Sequence, residues 1–140
     1  IVTIPSQHIV SKGLVPLMRY LLAMENSVHS HELALCSLNF CQVPDEIFLF
    51  KGATSLKKLS LFDNSLTELP LDMFVCMTCL EILDVSHNHL ASLPSELSIL
   101  QHLTVLLVNN NLLVSYPDVI WTMTNLSTLS VEDNLLDRIP

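Results

Sequence analysis

Cys76-Met77-Thr78-Cys79 has the spacing of a thiolate metal or redox pair, and His87 and His89 follow it. Two thiolates and two imidazoles are the donor set of a tetrahedral zinc site. A second constellation, Asp84, Ser86 and His87, sets a carboxylate, a hydroxyl and an imidazole within four residues. Those are the groups of a nucleophilic hydrolase, which also needs a strained elbow and oxyanion donors, and neither motif is visible here. With glycine only at Gly13 and Gly52, no loop can cradle a phosphate through glycine amides. Asn125-Leu126-Ser127 is an N-glycosylation acceptor sequence, relevant only to a secreted chain.

What these groups can do depends on the elements that hold them, and those follow from an internal repeat. From Leu56 the chain reads LKKLSLFDNSLTELP; from Leu80, LEILDVSHNHLASLP; from Leu103, LTVLLVNNNLLVSYP; from Leu126, LSTLSVEDNLLDRIP. The steps are 24, 23 and 23 residues, and LxxLxLxxNxLxxLP persists with Val, Tyr or Ile in some apolar places. A degenerate copy, LALCSLNFCQVP over 33–44, carries Leu38 where the others carry asparagine, and its longer return segment, Asp45 to Ser55, is expected to bulge. Each LxL piece alternates between turns and predicts a short strand. Stacking the units gives a parallel sheet whose leucines face inward, and no unit buries its leucines alone.

The sequence resembles the leucine-rich repeat family, in particular an intracellular subtype similar to Ras-suppressor and LAP-type scaffold proteins, in which LP closes each repeat. The resemblance implies an α/β leucine-rich repeat solenoid, a curved horseshoe with a parallel β-sheet on its concave face and short irregular or helical return legs. Residues 31–140 form the array, one degenerate and four regular units with the last incomplete. Residues 4–22 are similar to the segment that follows the last repeat of such arrays. Residues 1–30 are accordingly read as the end of an upstream repeat, near Pro5, plus a helical linker or cap. The chain begins at Ile1 and stops at Pro140 in mid-pattern, which reads as a piece of a larger protein. Leu14, Leu17, Met18, Leu21 and Leu22 have helical spacing within Lys12–Glu25, and this helix is expected to lay its apolar stripe on the open end of the array.

The register then sorts the candidate chemistry. Asn64, Asn88, Asn111 and Asn134 fall where the chain leaves the strand and predict a buried structural ladder. Cys76 and Cys79 fall on the return leg while His87 closes the concave strand, so the repeat holds the zinc set apart. Neither metal nor cofactor is expected, nor catalysis by this segment. Phe74, Leu97 and Ile120, followed by Met77, Leu100 and Met123, are expected to fill the convex side of the core.

Residues between the leucines project into the hollow. One column reads Glu32, Lys58, Ile82, Val105, Thr128, and the next Ala34, Ser60, Asp84, Leu107, Ser130. The third is Cys36, Phe62, Ser86, Asn109, Glu132, and the last Ser37, Asp63, His87, Asn110, Asp133. Phe62, Ile82, Val105 and Leu107 are apolar where the pattern requires nothing apolar, and Asp63, Asp84, Glu132 and Asp133 surround them. Together with His87, Asn109 and Asn110 they make the candidate partner-binding face, an apolar centre in a charged rim. Asn109 and Asn110 read as surface positions that tolerate alanine within about 0.5 kcal/mol.

Charge narrows the partner. The formal net charge is −8, and no Lys or Arg lies between Lys58 and Arg138. Phosphate backbones and anionic membranes need basic surface, so a protein with a basic patch is the expected partner and nucleic acid is excluded. Half of the residues are apolar, yet the greasiest stretch, Gly13 to Met24, is broken by Pro16 and Arg19 and predicts no membrane span. Four cysteines without the flanking clusters of secreted arrays point to a reduced, cytoplasmic setting. The expected function is therefore a scaffold or adaptor module that binds a protein through its concave face. The alternatives are the recognition domain of a larger GTPase, kinase, phosphatase or ubiquitin ligase, and an architectural piece of a large assembly.

Overall fold

The computed structural model describes residues 7–137. A short helix α1 (Gln7–Val10) and a long helix α2 (Leu14–Ser30) precede five strands of three residues each. These are β1 (Glu32–Ala34), β2 (Lys58–Ser60), β3 (Ile82–Asp84), β4 (Val105–Leu107) and β5 (Thr128–Ser130). They form one parallel sheet in the order β1-β2-β3-β4-β5. The register is unbroken: Glu32, Lys58, Ile82, Val105 and Thr128 are successive partners, as are Ala34, Ser60, Asp84, Leu107 and Ser130. Leu33, Leu59, Leu83 and Leu106 between them are buried. Each contributes roughly 1.5–3 kcal/mol by leaving water, which a three-residue strand could not secure alone.

Return legs are short because each must rejoin the sheet within one repeat. The first has two turns, α3 (Glu46–Leu49) and a 3-10 turn at Ala53–Ser55, so the expected bulge takes the form of an extra turn. The second is α4 (Leu71–Cys76), and the next two are 3-10 turns at Ser95–Ile99 and Asp118–Thr122. Pro70, Pro94 and Pro117 start the last three in extended conformation, where a missing N–H costs nothing. Phe74, Leu97, Met77, Leu100 and Met123 are buried, and Ile120 packs against the same core.

Asparagines tie consecutive units together. The Asn88 Oδ1 accepts from the Leu66 N–H at 3.0 Å, and its Nδ2 donates to the Leu61 and Val85 carbonyls at 3.0 Å each. Asn111 repeats the pattern with Leu90, Val85 and Val108. Asn64 does so with Leu38, Leu35 and Leu61, and Asn134 with Leu113, Val108 and Val131. Every amide thus pairs backbone groups of its own repeat and the preceding one, which burial would otherwise leave unsatisfied.

Helix α2 closes the N-terminal end, but it is longer than the spacing predicts and rolled differently. It runs to Ser30 and ends on His31, whose left-handed backbone (φ 60°) returns its N–H to the Ser27 carbonyl. Tyr20, Met24 and Ser27 are buried, with Leu17, Leu21 and Val28 packed beside them. Leu14, Met18 and Leu22, expected in the contact, are 73%, 56% and 57% exposed. The reason is that Ser27 can be buried at little cost, since its hydroxyl donates to the Met24 carbonyl at 2.8 Å. Tyr20 meets Phe40 edge to face at 6.4 Å, and its burial, aided by the charge of Glu46, pushes the phenol pKa up. The expected end of an upstream repeat near Pro5 lies outside the described residues, as do Pro140 and the close of the last unit.

One backbone feature was hidden in the sequence. Ser37, Asp63, His87, Asn110 and Asp133, the residues before each ladder position, all have φ between 53° and 57°. Side chains disfavour this left-handed region, and asparagine and aspartate tolerate it best. Asn110 is therefore no neutral surface site. Asn110→Ala is expected to cost about 1 kcal/mol and Asn110→Val about 2 kcal/mol, with Asn110→Gly close to wild type. Midpoints of urea unfolding measure this, and equal midpoints for the alanine, valine and glycine variants would contradict it.

Candidate functional site

The concave face is set by the register described above. Side by side on β3 and β4 stand Ile82 and Val105, and Asp84 and Leu107, all half-buried. Phe62, 36% exposed, lies against the His87 ring with centroids 4.7 Å apart at 57°. The His87 Nε2 shares a 3.2 Å hydrogen bond with the Asn110 Nδ2. The Ser37 hydroxyl donates to the Asp63 carboxylate at 2.6 Å. Asp84, Glu132 and Asp133 have no cationic partner among the described residues, whose ion pair is Lys57 with Glu81 at 3.3 Å. The apolar centre and its acidic neighbours therefore occur on one surface.

A polar chain runs through this face that spacing alone does not show. Asp84 accepts from the Ser86 N–H at 2.9 Å, and the buried Ser86 hydroxyl accepts from the Asn109 N–H at 3.2 Å. The Asn109 Oδ1 then accepts from the Ser130 hydroxyl at 2.7 Å and the Glu132 N–H at 2.8 Å. Asn109 is thus a strut between repeats, and alanine there removes two hydrogen bonds, which corrects the expectation that it is a tolerant surface position. Column reading misses this because a short polar side chain looks alike whether it meets water or its neighbour.

The same network engages members of the Asp84–Ser86–His87 constellation. Ser86 Oγ is occupied by a backbone amide, and His87 turns to Asn110 along the left-handed column. The structure does not make the serine–histidine pair that a nucleophile requires. Cys76 ends α4 on a return leg and Cys79 follows it, whereas His87 belongs to the concave edge. Among the described residues no group of three or more His, Cys, Asp and Glu side chains is arranged to hold a metal ion. Cys36, Cys41, Cys76 and Cys79 are free thiols.

Large apolar side chains are also exposed away from the hollow, which the sequence did not signal. Leu49, Leu71, Val75 and Trp121 lie on return legs, Trp121 at 65% exposure, and Leu14, Met18 and Leu22 form a strip on α2. No described helix is long and apolar enough to cross a membrane.

Residues 31–90 match the family model described as leucine rich repeat. Among solved structures, the leucine-rich repeat domain of APL1B aligns with 91% of the chain at a TM-score of 0.72 and 27% identity. A leucine-rich repeat protein of Leptospira interrogans aligns with 85% at 0.66 and 27%. The Arabidopsis thaliana BIR3–SERK2 complex supplies a third, over 73% of the chain at 0.62 and 28%. The chain spans 37%, 35% and 55% of those three chains, respectively. No curated protein sequence matches it. The repeat register, the asparagine ladder and these likenesses agree: the chain is built of leucine-rich repeats, and its fold is that of the leucine-rich repeat proteins.

Proposed function

We propose that this chain is a protein-binding scaffold or adaptor module of the intracellular type, and that it takes its partner on the concave face over Phe62, Ile82, Val105 and Leu107. The observation that carries this reading is the register: β3 and β4 put Ile82 beside Val105 and bring Leu107 level with Asp84, on a face the core does not cover. Such a centre supplies affinity by excluding water, while Asp84, Glu132 and Asp133, unpaired with cations in the described residues, favour a partner with a basic patch. The LP-closed repeats and the four free thiols support a reducing compartment. That a leucine-rich repeat neighbour was solved as a BIR3–SERK2 complex fits a binding role.

Affinity capture with the chain, followed by mass spectrometry, identifies the partner. Phe62→Ala and Leu107→Ala are then expected to weaken its binding by more than about 1 kcal/mol each, and Asp133→Asn to reduce chiefly the salt dependence. Trp121, the only tryptophan, stands on a convex leg and reports from the opposite side. Concave binding leaves its emission unchanged. Full affinity in both apolar variants, with Trp121 shielded from quencher, would move the site to the return legs.

A further inference from the structure

Between α2 and β1 lies an open groove of about 240 Å³, lined by Arg19, Leu22, Ala23, Asn26, Ala34 and Cys36. It exists because the side chains at its floor are small. Ala34 stands in the column that holds Ser60, Asp84 and Leu107 further along, and Cys36 in the column that holds Phe62 and Asn109. From the helix, Ala23 and Asn26 leave the space open, while Arg19 and Leu22 line it.

Arg19 gives the groove its chemistry. Its Nη2 donates to the Cys36 carbonyl at 2.9 Å, which tethers the guanidinium at the rim. The side chain is exposed and meets no carboxylate among the described residues. A held guanidinium with donors to spare is preorganised for an oxyanion. Arg19 is the one cation that lines the groove, so the site suits one carboxylate rather than an acidic run. Beside it the exposed strip Leu14, Met18 and Leu22 offers an apolar track along the helix.

We propose that this groove docks a polypeptide segment of a partner protein in which a single carboxylate is flanked by aliphatic residues. The carboxylate sits on Arg19, one aliphatic side chain enters over Ala34 and Cys36, and the others run along Leu22 and Met18. This site is separate from the acidic concave centre and takes the opposite charge, so it does not rest on the reading given above.

The probe is an acetylated, amidated pentapeptide of alanine, leucine, glutamate, valine and leucine, with a counterpart carrying glutamine for glutamate. Each is titrated into the isotope-labelled chain while amide ¹⁵N–¹H resonances are followed. The glutamate peptide is expected to shift the amides of Ala23, Asn26, Ala34 and Cys36 and to bind roughly fivefold more tightly than the glutamine peptide. Arg19→Gln is expected to abolish that difference. Ala34→Leu, an exposed strand position, fills the groove and is expected to abolish binding of both peptides with the rest of the spectrum preserved. Leu107→Ala, which is expected to weaken binding at the concave centre, is expected to leave the affinities for both peptides as they are in the unaltered chain, which separates the two sites. Absence of shifts, equal affinities for the two peptides, unchanged binding by Ala34→Leu, or shifts centred on Val105 and Leu107 would each overturn the proposal.

Discussion

Asn88→Ala is expected to lower stability by about 2–4 kcal/mol, well beyond what removal of a surface amide does. Its carboxamide is buried and holds the Leu66 N–H, the Leu61 carbonyl and the Val85 carbonyl. Alanine leaves all three in a place water does not reach, and unmade buried hydrogen bonds cost more than made ones contribute. Because repeats are stabilised through their neighbours, the loss falls on the junction of the first and second regular units. Urea unfolding followed by circular dichroism is the measurement. Asn134→Ala provides the internal comparison, since that amide makes the same bonds but is only half-buried. It is expected to cost less than about 1.5 kcal/mol. Equal losses at both positions would mean that burial is not what gives the ladder its strength.

The second large effect runs against the repeat pattern. Leu38→Asn, which makes the degenerate unit match its neighbours, is expected to destabilise the chain by about 2–5 kcal/mol. Leu38 is buried beside α2, whose backbone is paired within the helix. An asparagine there finds no preceding strand to donate to or accept from. Of the carbonyls in its own repeat, Cys36 is engaged by Arg19, and Leu35 could be shared with Asn64 as Leu61 is between Asn64 and Asn88, but that would satisfy only the amide N–H side. The substitution therefore removes apolar packing and adds a buried amide whose Oδ1 has no N–H of a preceding repeat to accept from. Leu38→Met keeps the volume and is expected to stay within about 1.5 kcal/mol of wild type. Thermal unfolding of the two variants decides, and a stabilised asparagine variant would show that the cap leaves room for a further rung.

Leu38 also shows how far the sequence could be read. The period located the strands, their register and the four asparagines, because a repeat translates directly into stacking. It could not explain the missing asparagine, whose cause is the neighbour rather than the unit. The same limit applies to α2. Apolar residues wrap more than half of its circumference, so spacing predicted a helix but not which side turns inward, and Ser27 and Tyr20 were the residues that decided it. In the candidate site, the apolar quartet followed from column counting. The strut of Asp84, Ser86 and Asn109 did not, because its hydrogen bonds cross between repeats. The groove beside Arg19 was equally out of reach, since it depends on how a helix rests against a strand.

The left-handed column restricts the chemical vocabulary of one edge of the hollow. At Ser37, Asp63, His87, Asn110 and Asp133 the main chain itself discourages branched and bulky apolar side chains, whatever a partner prefers. Diversification at that edge is confined to polar groups unbranched at Cβ, or to glycine, unless the fold surrenders stability. The two strand columns carry no such restriction and hold Lys58, Ile82, Val105 and Leu107 with equal ease. A change of partner by mutation is therefore written mainly in the strands, whereas the edge can do little more than exchange one hydrogen-bonding group for another.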